Sequence, residues 1–311
     1  MDLKYDIGKY ITKTKMSSKK RILVEGRDDK AHIKNLIDVL HKGHRVKIDT
    51  AESIKGISTE TNRNNRAKID TIHQRCKDST DHHNLFFLCD REFLKFEIKD
   101  QVVDLMLDHE TDGNLSWTRG HSIENYFFRD DLLCEAYRFL CGSEYKSDAE
   151  DIFVKVLPSA LKLVATITLA AKDINKSSFP AGVIGWQDFI INDNSVYLDI
   201  DMWKSDENNE IFKNFRLYFK KYLQITCSTD ELICSRICRG HTAMLMLQRI
   251  FSACLSQVIK EKDIEEKALK DANAFAHLKE SNIATALCES WVRKAKEGSV
   301  LYPFQLIESV V

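Results

Sequence analysis

Short uninterrupted apolar runs alternate with helically spaced ones over the first third of the chain. Residues 21–25, RILVE, form an apolar run ending in a carboxylate just before Gly26, the pattern of a strand followed by a turn. Ile33, Leu36, Ile37 and Leu40 then recur at i, i+3, i+4 and i+7, which is one face of a helix. His41-Lys42-Gly43-His44 closes that helix, with glycine at the break. RVKID (45–49) predicts the next strand, residues 55–66 are polar, and Asn65–Lys77 reads as a basic helix. LFFLC (85–89) is the strongest strand signal, a continuous apolar run of the kind buried on both faces, and it ends abruptly in Asp90-Arg91-Glu92. Ile98, Val102, Leu105 and Met106 predict a further helix, and LSWT (115–118) a further strand. The order β-α-β-α-β-α-β is that of an α/β fold, a parallel sheet flanked by helices.

After Phe128 the pattern changes to long helical segments, among them Asp130–Leu140, Ser159–Asp173 and Ile259–Lys296. One irregular interval, Asn175–Lys204, carries Pro180, Gly182, Gly185 and two aromatic anchors, Trp186 and Trp203. Neither an internal repeat nor a low-complexity linker interrupts the chain. The expected organisation is an α/β domain over residues 1–128 and a mainly helical domain over residues 129–311.

Composition narrows the class. The chain has 311 residues, 43% of them hydrophobic, and only 3 prolines, which favours a helix-rich fold with few proline-built loops. The basic N-terminus has no apolar core of signal-peptide length. Leu157–Ala171, the longest apolar region, contains Pro158 and Lys162 and reads as too short and polar to span a bilayer. A cytoplasmic protein without a membrane segment is expected. The 9 cysteines form no CxxC pair, and Cys234 and Cys238 have no His/Cys partner set nearby, so buried thiols in a reducing compartment are expected. The pair His82-His83 reads as strand, where neighbours point to opposite faces, so joint metal ligation is not expected.

Charge adds an asymmetry that the net value of −1 hides. Residues 1–77 hold 19 Lys and Arg against 10 Asp and Glu, and residues 78–311 hold 27 against 37. A basic front suits a polyanion, and an acidic remainder suits a different partner.

In open parallel sheets the functional edge lies beyond the carboxyl ends of the strands. Two predicted strands end in acids there: Glu25 after RILV, and Asp90 with Glu92 after LFFLC. Carboxylates gathered at such an edge repel one another unless a cation neutralises them. Mg²⁺, a hard cation that takes few protein carboxylates and keeps positions for water and phosphate, suits the set. The chemistry implied is metal-assisted cleavage of a phosphodiester. Asp28 and Asp29 either join this edge or cap the following helix. Arg27 and Lys30 are candidate phosphate contacts, and Arg63, Arg66, Lys68, Arg75 and Lys77 either extend a backbone-tracking surface or line a solvated helix.

ILVEGRDD followed by a helix, and FFLCDRE at the end of a later strand, resemble the glutamate motif and the DxD-type motif of the toprim fold, shared by topoisomerases, primases and overcoming-lysogenization-defect nucleases. The block Gly120-His121-Ser122-Ile123-Glu124-Asn125-Tyr126-Phe127 resembles the H-S-I-E-N-Y block of a narrower toprim-like group encoded beside AAA/ABC-type ATPases. Arg239-Gly240-His241 resembles a further block of that group. Over most of its length the chain is similar to the toprim nuclease effectors of PARIS-type anti-phage systems.

The resemblance implies a bacterial effector held inactive by the ATPase scaffold. Released on infection, it is expected to form a homodimer and to cut host RNA, tRNA above all, arresting translation. It also implies one or two Mg²⁺ ions, with Mn²⁺ able to substitute. Glu25 matches the toprim glutamate, an acid/base or metal ligand, and Asp90 matches the first acid of the DxD motif. Glu92 stands where a second aspartate is usual, a departure from the pattern. Glu124 is the remaining candidate ligand. His121 either assists proton transfer or holds loop backbone in a turn. Two other readings stay open: a DNA endonuclease using the same acids, and a toprim-derived binding module without catalysis.

Overall fold

A computed structural model describes residues 5–200, 209–262 and 265–311. The described chain runs through β1 (Tyr5–Asp6), α1 (Ile7–Lys15), β2 (Arg21–Val24), α2 (Arg27–Leu40), β3 (Lys47–Thr50), β4 (Ile54–Lys55), α3 (Thr59–Arg63), α4 (Asn65–Cys76) and β5 (Leu85–Cys89). A hairpin follows, β6 (Phe96–Ile98) and β7 (Val102–Asp104), then β8 (Thr111–Asp112) and β9 (Leu115–Trp117). The remainder is α5 (Asp130–Leu140), α6 (Lys146–Asp173), α7 (Phe179–Val183), the hairpin β10 (Phe189–Asn192) and β11 (Ser195–Leu198), α8 (Glu210–Cys227), α9 (Glu231–Ile237), α10 (Gly240–Lys260), α11 (Glu265–Ala276), α12 (Glu280–Lys296) and α13 (Phe304–Val310).

Two compact units result, and the chain passes between them more than once. The first comprises the chain up to Arg91, Met106–Tyr126 and Trp291–Val311; the second comprises Glu92–Leu105 and Phe127–Ser290. This corrects the expectation of a single boundary at residue 128, because the last 21 residues and an internal excursion change sides. In the first unit a five-stranded sheet has the order β3-β2-β5-β9-β8. Its first four strands are parallel, and β8 closes the edge antiparallel to β9.

The runs RILV and LFFLC become the two central strands because they carry enough apolar side chain to be covered on both faces: Ile22, Leu23, Val24, Leu85, Phe87, Leu88 and Cys89 are all buried. One face packs Leu23, Phe87 and Leu115 against Ile7 and Tyr10 of α1 and Ile69, Ile72 and Cys76 of α4. Helix α2 buries Ile33, Leu36 and Ile37, and its start is fixed by Asp29, whose carboxylate accepts the Gly26 N–H at 2.8 Å. Asp28 and Asp29 both lie in its first turn, so the capping reading of these two acids accounts for them. The helix ends at His41, and Gly43 takes φ +100°, a left-handed turn that glycine enters without steric cost.

The segment expected as a third crossover helix is a hairpin instead. Ile98, Val102, Leu105 and Met106 do repeat at helical spacing, but FEIKDQVVD also alternates at period two and is rich in aromatic and β-branched residues. β6 and β7 pair antiparallel, and Glu92 and Lys95 take φ +52° and +58°, which break a helix before it starts. Asp104, within β7, is ion-paired at 3.1 Å with Arg236 of α9, and both side chains are largely buried.

Helices α6 and α10 form the core of the second unit, around an aromatic cluster of Tyr137, Phe153, Phe251 and Phe275 with ring centroids 4.8–5.6 Å apart. Two further expectations are corrected here. Ile259–Lys296 is not one helix: α10 ends at Lys260, and α11 and α12 are separated at 277–279 without a glycine or proline to mark the break. The helix expected over Ser159–Asp173 begins earlier, at Lys146, and runs through Pro158. Helices α6 and α10 are long and apolar enough to cross a membrane, yet 67% and 83% of their apolar windows are buried within the protein, as in core helices. Trp186 is buried and its indole donates to Asn273 at 2.8 Å, whereas Trp203 lies outside the described residues.

All 9 cysteines are free, and only Cys227 is exposed. Burial pushes Cys76 up to about 11, and Cys134 and Cys234 up to about 12. At about pH 8, a thiol reagent is expected to modify Cys227 alone in the folded protein and the rest only after denaturation, with Cys227→Ser abolishing the fast phase. The raised values also fix a sign. An unfolded thiol loses its proton near pH ~8.5 while these hold theirs, so stability is intact below that pH and falls as pH rises towards 11–12. The urea midpoint at about pH 10.5 is expected to lie below that at about pH 8.

Candidate active site

Strands β2 and β5 pair in parallel with Leu23 opposite Phe87, which sets Glu25 level with Cys89 and one residue short of Asp90. Both acids therefore emerge from adjacent central strands at the carboxyl edge, and both are half-buried. The Asp90 N–H donates to Glu25 Oε1 at 3.1 Å, so the glutamate carboxylate lies directly against the backbone that carries the aspartate. Glu25 also tethers the neighbouring strand end, its carbonyl accepting the Glu52 N–H at 3.2 Å.

The Asp90 turn is held from two sides. On one, Arg66 of α4 donates from Nη1 to the Asp90 carbonyl at 2.7 Å, with its Nε 3.9 Å from Asp70 one helical turn on. On the other, Thr118 brackets the aspartate: its N–H donates to the Cys89 carbonyl at 3.0 Å, and its Oγ1 accepts the Arg91 N–H at 2.9 Å. Arg91 is fully buried and donates from Nη1 to the Arg119 carbonyl at 2.9 Å. Arg119 in turn donates its N–H to Tyr126 Oη at 3.0 Å, and that hydroxyl is 2.7 Å from His109 Nε2. Tyr126 stacks between His109 and Trp291, with centroids 5.9 and 5.6 Å away.

The local field is acidic. Burial first, and then the charges of Glu25 and Asp70, push the Cys89 thiol well above its usual range. Asp70 is a member of this edge that the strand-end argument missed; its signal was the i, i+4 spacing from Arg66 on a helix.

Glu124 sits in a 3-10 turn over Ile123–Phe127, is 3% exposed, and accepts the Ser122 hydroxyl. Ser122 N–H is taken by Asn125 Oδ1 at 2.8 Å, so the H-S-I-E-N-Y block is a self-bonded turn. His121, also buried, belongs to the same turn region. Glu92 is exposed and lies in the second unit. Arg27 and Lys30 are exposed on the first turn of α2, with Arg27 3.5 Å from Glu52, and Arg63, Arg75 and Lys77 are exposed. His82-His83 lies at a 3-10 turn (Thr80–His82), correcting the strand expected there.

Lys68 corrects the reading of α4 as a uniformly basic surface. It is 2% exposed, and its ammonium donates to the Ala51 carbonyl at 3.1 Å and to Asn65 Oδ1 at 3.0 Å. Lys68→Met is expected to cost about 1–3 kcal/mol of stability, read from urea unfolding, because buried acceptors lose a charged donor. The same variant should leave the salt dependence of nucleic-acid binding unchanged; a reduced salt slope with unaltered stability would contradict the inward placement.

Among the described residues no group of three or more His, Cys, Asp and Glu side chains is disposed to hold a metal ion. Glu25 and Asp90 do lie side by side, the Glu25 carboxylate resting against the Asp90 backbone N–H. Two hard oxygen donors at a half-buried edge fit the way Mg²⁺ is usually held, through one or two carboxylates with its other positions left to water and phosphate. They do not amount to a closed cage. No family model matches the chain, and no curated protein matches it.

Proposed function

We propose that the chain is a Mg²⁺-dependent nuclease of toprim type that cleaves RNA, with tRNA as the favoured substrate. In this reading it is the effector of an anti-phage system, restrained by an AAA/ABC-type ATPase, released on infection, and dimeric when free. The observation that carries the chemistry is the hydrogen bond from Asp90 N–H to Glu25 Oε1 at the carboxyl ends of two adjacent parallel strands. The substrate, the partner and the dimer rest on the resemblance of the E-G-R-D-D, D-R-E and H-S-I-E-N-Y segments.

Glu25 and Asp90 are the residues that would hold the ion. Mg²⁺, when bound, supplies polarisation of a phosphoryl oxygen and stabilisation of the leaving oxygen. Glu25 is fixed by the Asp90 amide and is placed to accept or hold a proton at the reacting edge. Arg66 and Thr118 act through backbone, keeping the Asp90 carboxylate in one position while a phosphodiester enters. Arg27 and Lys30, exposed one turn into α2, are suited to meet the phosphates on either side of the cleaved bond.

A second reading, a binding module that keeps the acids without catalysis, is favoured by one observation. Of the four candidate ligands, Glu124 is engaged by Ser122 inside a buried turn, and Glu92 is a longer acid in a position usual for aspartate. Purified chain incubated with total RNA and with plasmid DNA, in Mg²⁺ and in EDTA, separates these readings. RNA fragments formed only with Mg²⁺, and absent with Asp90→Asn, are expected. Cleavage of plasmid alone would assign a DNA endonuclease, and intact RNA and DNA under all conditions would leave the binding module.

A further inference from the structure

The sheet of the first unit has edges of opposite charge. At the carboxyl edge stand Glu25, Asp28, Asp29, Glu52 and Asp90. At the other edge, residues 13–20 and 41–47, the segments that lead into β2 and β3, contain seven lysines and arginines and no acid. Arg21 and Lys47 are register partners at the first position of the two strands. Of the acids that approach this edge, Asp49 is committed to Arg21 at 2.9 Å and Tyr10 at 3.2 Å, with Lys47 at 4.0 Å, and Asp81 to Lys15 at 2.6 Å, while Asp78, exposed in the same loop as Asp81, makes no ion pair among the described residues. Glu308 faces His41 at 3.4 Å, and Lys20 is spent on the carbonyls of Ser309 and Val311. Among the described residues Lys13, Lys19, Lys42 and Arg45 make no ion pair.

We propose that this amino-terminal edge, formed by Lys13, Lys19, Arg45 and Lys47, is a second binding surface for a nucleic-acid backbone, on the opposite edge of the sheet from the Glu25–Asp90 pair. Burial first, and then Arg21, Lys13 and Lys19, hold the Lys47 ammonium below its usual range against the pull of Asp49, which places these cations together. Like charges left close together are relieved by a polyanion. The Lys13 ammonium also lies 4.2 Å from the ring centroid of Tyr5, which is 44% exposed and whose backbone pairs with Ile54 beyond the carboxyl end of β3. An exposed ring beside a cation suits a nucleic acid better than an acidic protein, since bases stack on it and carboxylates do not.

Geometry adds a length requirement. Strands of four and five residues separate the two edges by about 13–17 Å at ~3.3 Å per residue. A stacked strand advances ~3.4 Å per nucleotide, so at least about five nucleotides are needed to touch both. The assignment of the polyanion rests on the nuclease reading; the surface itself does not.

The test is fluorescence anisotropy with labelled RNAs of about 4 and about 20 nucleotides in EDTA, so that binding is read without cleavage. Lys19→Gln/Arg45→Gln/Lys47→Gln is expected to weaken the long RNA by about tenfold or more, to lower its salt slope by about two to three, and to weaken the short RNA in the same direction. The loop pair Lys19→Gln/Arg45→Gln, with an unchanged melting temperature, gives the same direction should the strand position perturb folding. Unaltered binding of the long RNA overturns the proposal. Tight binding of polyglutamate that RNA does not displace would instead assign an acidic protein, and also overturns it. RNA bound through this edge but never cut in Mg²⁺ would leave the surface standing and the nuclease reading fallen.

Discussion

Glu25→Gln and Asp90→Asn are each expected to lower RNA cleavage by about a hundredfold to ten-thousandfold while leaving the fold intact. Both substitutions keep the shape of the side chain and remove its charge. In Glu25→Gln the amide oxygen still accepts the Asp90 N–H, so the turn that carries the aspartate is retained. Loss of activity then reports on charge and proton exchange, not on collapse of the edge. Kinetics at saturating Mg²⁺ and a melting curve for each variant check this. In cells, Glu25→Ala should abolish the growth arrest that the free chain causes. Retained toxicity in a folded Glu25→Ala protein would remove the nuclease reading, and activity within a few-fold of the parent would remove Glu25 from the chemistry.

Trp291→Ala is expected to be the most damaging single change to the first unit, costing about 3–5 kcal/mol. Trp291 is fully buried, its indole N–H donates to the Leu301 carbonyl at 2.9 Å, and its ring stacks on Tyr126 at 5.6 Å. Removing it opens a cavity, strips a buried carbonyl of its donor, and loosens the ring that holds the Arg119 backbone beside the Asp90 turn. Urea unfolding measures the cost. Trp291→Phe keeps most of the buried area and should lose less, the indole hydrogen bond being the difference. A cost below about 1 kcal/mol for the alanine variant would contradict the role given to the C-terminal segment.

The parts of this fold legible in the sequence are those whose signals are local. RILV and LFFLC read as buried strands because an unbroken apolar run needs cover on both faces. The capping carboxylate of α2 lies three residues from the glycine it serves, and the placement of Glu25 beside Asp90 followed from strand order alone. What could not be read depends on distant partners. FEIKDQVVD carries helical and strand periodicities at once, and its pairing with Arg236 and Thr229 decides between them. Lys68 looks like any basic residue on a polar helix until the Ala51 carbonyl appears beneath it. Trp291–Val311 gives no local sign that it belongs with the sheet. Among the site residues, Thr118 bonds the backbone on either side of Asp90, its N–H to the Cys89 carbonyl and its Oγ1 to the Arg91 N–H, contacts that no spacing in the sequence announces.

Divalent cation binding by the purified protein tests the central claim most directly. Titration with Mn²⁺, followed by its EPR signal and competed with Mg²⁺, should show a site in the parent protein that is lost in the folded Glu25→Gln/Asp90→Asn double variant. An equal site in the double variant would contradict the assignment of this carboxylate pair as the ion-binding edge.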